Sequence, residues 1–123
     1  MRVLLAEDNA DNREMLTRRL ERRGFIVDVA EDGALAVAAA NNNKPDVVLM
    51  DVSMPVMSGL EATRALRAAP ETKDLKIIAL TAHAMSGARD ECMAAGCDAF
   101  ATKPVDFAAL LETIQSVTGK PLS

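Results

Sequence analysis

Five residues of this 123-residue chain carry side chains from which phosphate chemistry could be built: Glu7, Asp8, Asp51, Thr81 and Lys103. Asp51 follows the apolar run Val47-Val48-Leu49-Met50 and precedes Val52-Ser53-Met54-Pro55-Val56-Met57-Ser58-Gly59. A carboxylate therefore stands where a strand buried on both faces gives way to a turn. Alone that says little, because strands often end in Asp simply to start a turn. Glu7-Asp8 closes the apolar stretch Val3 to Ala6, Thr81 closes Lys76 to Leu80, and Lys103 follows Asp98 to Thr102. Brought together, two carboxylates about 4 Å apart repel by roughly 4 kcal/mol at an effective dielectric near 20. A cluster of three needs a cation or a shared proton. All-oxygen ligands on a partly open site favour Mg²⁺, which keeps waters and recruits phosphate oxygens. With the cluster neutralised, Asp51 could attack a phosphoryl donor as a nucleophile and form an acyl phosphate. Lys103 and Mg²⁺ would stabilise the transferring oxygens, and Thr81 would donate a hydrogen bond to one of them.

That chemistry requires four strand ends to meet on one edge, and the pattern of the chain supplies the strands. Strand-like segments at Val3–Ala6, Phe25–Ala30, Val47–Asp51, Lys76–Thr81 and Asp98–Thr102 alternate with five helical ones. The first helix opens at the N-cap Asn9, carries Leu16 and Leu20 on one face and ends near Arg23-Gly24. The second runs from Ala34 to about Ala40, with Leu35, Ala38 and Ala39 on one side, and stops at the breaker Asn41-Asn42-Asn43-Lys44-Pro45. Gly59 opens the third, Ser86 caps the fourth, and Asp106 caps the last. In that last helix Phe107, Leu110, Leu111 and Ile114 repeat at i, i+3, i+4 and i+7. Strand and helix alternating five times predict an α/β fold, a five-stranded parallel sheet with helices on both faces, as one domain over residues 1–123. Right-handed crossovers and the order 2-1-3-4-5 place a switch point between strands one and three, where ligands bind at the strands' carboxyl ends. In that order the ends of strands one, three, four and five converge.

Composition narrows the partners. Half the residues are hydrophobic, but there are only three Phe and no Trp or Tyr, so the core is aliphatic. A net charge of -4 argues against direct nucleic-acid binding. The basic cluster Arg13, Arg18, Arg19, Arg22 and Arg23 lacks interleaved aromatics and reads as a solvated or protein-docking face. No apolar stretch is long enough for a bilayer, so no membrane partner is expected. The start lacks signal-peptide character. Cys92 and Cys97 fit neither a CxxC motif nor a zinc set. A cytoplasmic protein with reduced thiols is the expectation.

End to end, the chain resembles the receiver domain of two-component response regulators. The resemblance rests on Glu7-Asp8, on Asp51 followed by Met54-Pro55 and Gly59, on Thr81-Ala82 and on Lys103-Pro104, in that order and spacing. It implies phosphorelay signalling, with Mg²⁺ and a histidine kinase or histidine phosphotransfer protein as donor. Carried over by position, Asp51 is the phospho-acceptor, and Glu7, Asp8, Asp51 and the Ser53 backbone carbonyl hold the metal. Thr81 and Phe100 form the switch, Lys103 binds phosphate before a cis bond to Pro104, and Ser53 and His83 tune the lifetime of the acyl phosphate. Helix 4, strand 5 and helix 5 would form the surface that meets a downstream protein. The resemblance implies no enzyme beyond self-phosphorylation and slow dephosphorylation. Glu7 stands where the family commonly has Asp, and Phe100 lacks a hydroxyl, so any switching through it must work by packing. The start at Met1 reads as a natural N-terminus, while a stand-alone regulator and a segment of a larger protein both stay open.

Three other readings compete. An aspartyl-phosphate phosphatase would want a second Asp two residues after the nucleophile, and Ser53 occupies that position. A flavodoxin-type electron carrier would want a phosphate-cradling loop after strand one and aromatics around a flavin, and the chain has neither. A receiver-like scaffold that is never phosphorylated would have no need of the full residue set.

Overall fold

A computed structural model describes residues 1–82 and 86–121. The order of elements is β1 (Arg2–Ala6), α1 (Ala10–Arg22), β2 (Ile26–Ala30), α2 (Gly33–Asn43), β3 (Val47–Asp51), α3 (Gly59–Ala68), β4 (Lys76–Thr81), α4 (Ser86–Ala95), β5 (Ala99–Thr102) and α5 (Phe107–Thr118). The strands are all parallel, in the order β2-β1-β3-β4-β5.

Strand side chains alternate between faces, and this sorts the core into two layers. Leu4, Val48, Met50, Ile77 and Ala79 face α2, α3 and α4, meeting Ala36, Ala40, Ala62, Leu66 and Cys92. Val3, Leu5, Val47, Leu49, Ile78 and Leu80 face α1 and α5, meeting Leu16, Leu20, Leu110, Leu111 and Ile114. β3, in the middle, is buried along its whole length, as its unbroken apolar run requires. Both cysteines are buried and unpaired.

Local signals set the helix ends. The side chains of Asn9, Asp32 and Asp106 accept hydrogen bonds from the backbone N–H groups of Asn12, Leu35 and Ala109. Ser58 and Glu61 form a reciprocal capping box at the start of α3. Ser86, expected as the cap of α4, is the first residue of that helix.

α2 departs from its sequence pattern in two ways. It continues through Asn41, Asn42 and Asn43 instead of stopping before them, and ends where Lys44 turns left-handed at φ 48°. The Asn41 side-chain amide donates to the Val37 carbonyl, 3.0 Å away, so an expected breaker serves the helix instead. The inward face is Gly33, Ala36 and Ala40, while Leu35 is 51% exposed. Close packing explains the choice. A Cβ on Gly33 would lie 2.0 Å from the Met57 carbonyl oxygen, so the helix start presses against the loop after β3 and only a small face fits there.

Candidate functional site

Parallel strands deliver their carboxyl ends to one edge, and the four expected strand ends meet there. Glu7, one residue past β1, is fully buried, with its N–H donated to the Ala30 carbonyl of β2. Asp8 beside it is exposed. Asp51 ends β3 almost fully buried, and Thr81 ends β4 buried as well. Lys103 follows β5, and its N–H donates to the Thr81 carbonyl at 2.8 Å, tying the two strand ends together. The Lys103–Pro104 bond is cis.

One ammonium organises the cluster. Lys103 Nζ lies 2.8 Å from Asp51 Oδ2 and 2.8 Å from Glu7 Oε1. The other oxygens are also held: Asp51 Oδ1 accepts from the Ser53 N–H at 3.1 Å, and Glu7 Oε2 from the Asn9 N–H at 3.2 Å. Each carboxylate is thus fixed in orientation, with one oxygen on the lysine and one on a loop amide. The backbone makes room for this arrangement at Gly59, where a Cβ would lie 2.0 Å from the Asp51 carbonyl oxygen. That close approach is the physical reason for a glycine eight residues after the acid.

The charges do not balance. Burial first, then the hydrogen bond with Asp51, pushes the Glu7 carboxyl from 4.5 up to about 7. Burial acts to lower the Lys103 ammonium as well, but its hydrogen bonds with Asp51 and Glu7 outweigh that, and its pKa is raised. The site is short of positive charge.

The donor set fits a small divalent cation. One carboxylate oxygen from each of Glu7, Asp8 and Asp51 lies within 4.8 Å of the others, with Asp8 open to solvent and the other two buried. An all-oxygen group with one exposed side suits Mg²⁺, which retains part of its water shell.

Of the other expected residues, Ser53 is exposed and contributes its amide to Asp51. Phe100 lies half-buried on β5, with the Arg89 guanidinium of α4 over its ring, 5.9 Å from the centroid. His83 lies outside the described residues.

One participant was misplaced by the sequence pattern. Arg13 was grouped with a solvated or docking face, yet its side chain is only 18% exposed and turns toward the acidic loop. Its guanidinium donates to the Glu7 carbonyl at 2.9 Å and lies 3.4 Å from both the Asp8 carbonyl and Glu31 Oε1. The signal was available: Arg13 falls three residues before Leu16 and seven before Leu20, on the inward face of α1. Arg18, by contrast, is exposed and pairs with Glu14.

Residues 3–115 match the response regulator receiver domain family. The chain belongs to that family. It is 40% identical over 122 residues to a hybrid signal transduction histidine kinase I of Dictyostelium discoideum, covering 94% of this chain but only 7% of the kinase. Among solved structures, the receiver domain of the Pseudomonas aeruginosa sensor histidine kinase PA1611, with magnesium coordinated in its active-site cleft, is 37% identical. It superposes with a TM-score of 0.90 over 97% of this chain and 98% of that one. The receiver domain of Saccharomyces cerevisiae Ssk1, crystallised with the histidine phosphotransfer protein Ypd1, is 27% identical. Its TM-score is 0.90, over 97% of this chain and 89% of the other. The chain is therefore a receiver domain of two-component phosphorelay signalling. No helix among the described residues is long and apolar enough to cross a membrane.

Proposed function

We propose that this receiver accepts a phosphoryl group on Asp51 from a phosphohistidine donor, in a reaction that requires Mg²⁺, and that the modified site switches a protein-binding surface. The observation that carries the reading is the pair of 2.8 Å contacts from Lys103 Nζ to Asp51 and Glu7, which leaves a poised carboxylate beside an under-neutralised acidic group. Glu7, Asp8 and Asp51, with the Ser53 carbonyl, would hold the Mg²⁺. Bound there, the ion supplies positive charge to the carboxylates and to the incoming phosphoryl oxygens. A carboxylate oxygen of Asp51 attacks phosphorus, the bond from phosphorus to the donor imidazole nitrogen breaks, and the nitrogen keeps the electron pair. With the donor ring protonated on its other nitrogen, the products are an acyl phosphate and a neutral histidine.

Each residue's task follows from its contacts. The Ser53 N–H and the Lys103 ammonium orient Asp51 from opposite oxygens, so little reorganisation is needed when charge moves. Once the phosphoryl group is in place, Lys103 offers it a cation and Thr81 a hydroxyl. The added charge and acceptors draw in the end of β4. The change reaches α4, β5 and α5 through Phe100, whose ring is already packed under Arg89. Ser53 and His83 tune how long the acyl phosphate lasts. The donor is a histidine kinase or a phosphotransfer protein, as the Ssk1–Ypd1 pairing supports, and the product acts on a downstream protein. The setting is cytoplasmic, where Cys92 and Cys97 stay reduced. The chain modifies itself and loses the group slowly; it is not a turnover enzyme.

Incubation with a small phosphodonor and MgCl₂ is expected to add one phosphoryl mass, labile to hydroxylamine. Asp51→Asn and omission of Mg²⁺ should each abolish it. An adduct that survives in Asp51→Asn would remove the assignment, and repeated turnover of a phosphate ester would favour a phosphatase instead.

A further inference from the structure

We propose that Arg13 is a positioning residue for the divalent cation, setting the place of Glu7 and Asp8 through their backbone; this rests on the reading of the acidic group as a Mg²⁺ site. The guanidinium sits one turn into α1 and reaches in two directions. One arm, Nη1, donates to the Glu7 carbonyl at 2.9 Å and approaches the Asp8 carbonyl at 3.4 Å. The other, Nη2, lies 3.4 Å from Glu31 Oε1 at the turn after β2. Arg13 therefore ties the loop carrying two of the three carboxylates both to the helix that follows it and to the neighbouring strand end.

The Glu7 N–H also joins the loop to the end of β2 through the Ala30 carbonyl. The Glu7 side chain is held by Lys103 and by the Asn9 amide. Asp8 is exposed, and the Arg13 guanidinium lies 3.4 Å from its carbonyl, just before the Asn9 N-cap of α1. A cation needs its ligand oxygens placed to within a fraction of an ångström, and groups that fix ligand orientation typically control affinity about 10-fold or more. Simple electrostatics would argue against an arginine here, since a fixed positive charge near a cation site weakens binding. Two features offset that cost. Glu31 balances the charge, and a planar fork reaches the Glu7 carbonyl and the Glu31 carboxylate from two separate nitrogens, where an ammonium has a single one.

Arg13→Lys separates geometry from charge, because it keeps the cation and loses the fork. Calorimetric titration of the phosphate-free protein with MgCl₂ should show affinity weaker by about 10-fold in Arg13→Lys. Glu31→Gln, which frees only the outer arm of an exposed pair, should weaken it by about twofold. The melting temperature of each metal-free protein is measured alongside. A role confined to folding would lower that temperature and leave the Mg²⁺ affinity unchanged. Unchanged affinity in both variants overturns the proposal, whatever their stabilities. A wild-type protein that takes up no Mg²⁺ would overturn the metal-site reading itself, and the proposal with it.

Discussion

Two partly buried cations, Arg67 and Lys103, hold opposite edges of the same sheet, and they are satisfied to very different degrees. Arg67 of α3 donates to the Gly96 carbonyl at 2.8 Å, to the Lys73 and Leu75 carbonyls, and to Asp98 Oδ2 at 2.9 Å. Asp98 in turn accepts the N–H of Ile77 at 2.8 Å. One guanidinium closes the α3–β4 loop, the end of α4 and the start of β5 into a single unit, with one carboxylate for one cation. At the other edge, Lys103 is shared between the carboxylates of Glu7 and Asp51, with Asp8 nearby. The first arrangement is complete as it stands. The second leaves charge uncompensated, as a site awaiting a cation and a phosphoryl group would.

The largest effect should come from breaking the completed edge. Arg67→Ala removes several charge-assisted bonds and leaves carbonyls and Asp98 without their shared donor. The loss is expected to be about 3 kcal/mol. For a domain of this size that lowers the melting temperature by roughly 10 °C. Calorimetric melting checks it, and a drop of only a degree or two would mean that the clamp contributes little.

The opposite sign is expected at the other edge. Glu7 has a folded-state pKa of about 7 against an ordinary value of 4.5, so the native state holds this proton more tightly than the unfolded chain. Its contribution is fully present below about pH 4.5 and is lost as pH rises through about 7. Metal-free stability should therefore fall between pH 5 and pH 8, and Glu7→Gln, which mimics the protonated acid, should remove that fall. The variant should be the more stable protein at pH 8, by on the order of 2 kcal/mol. Urea midpoints at the two pH values read both effects. Adding MgCl₂ at pH 8 should raise the wild-type midpoint more than that of the variant. A variant less stable than wild type at pH 8 would show that the ionised carboxylate is well accommodated and the edge is not short of positive charge.

The two edges also differed in how far the sequence disclosed them. Asp51 and Lys103 announced themselves because a buried apolar run ends in one and a Lys-Pro pair follows a strand at the other. The parallel order of the sheet then brought them together. Glu7 and Asp8 were legible for the same reason. Four things were missed. The mutual hold of Lys103 on Glu7 and Asp51 depends on side-chain reach across β1, β3 and β5, which strand order alone does not give. Arg13 was read by its charge when its register with Leu16 and Leu20 pointed inward. Arg67 left no signal, because its partners are mostly backbone carbonyls, to which any residue contributes alike. The inward face of α2 was missed because Leu35 looked like core and Gly33 looked like punctuation. The close approach of the Met57 carbonyl makes the smaller residues the buried ones.

α4 runs between the two edges, and Gly87 within it and Gly96 just past its end offer the finest test of the contrast. At its far end Gly96 has φ +110°, and an added Cβ would lie 2.8 Å from Arg67 Cγ. Gly96→Ala is strained by its backbone and crowds the clamp, so a loss of about 1–2 kcal/mol is expected. Gly87, in the first turn of α4, is exposed and has nothing within 4 Å of an added Cβ. There the methyl group meets only solvent, and alanine's better helix propensity should stabilise the protein by about 0.5 kcal/mol. Urea midpoints of the two variants measure the pair directly. Equal losses at both positions would mean that α4 is held as firmly in its first turn as at the Arg67 clamp. Opposite signs would mean that close packing limits substitution at the Arg67 end alone of these two positions.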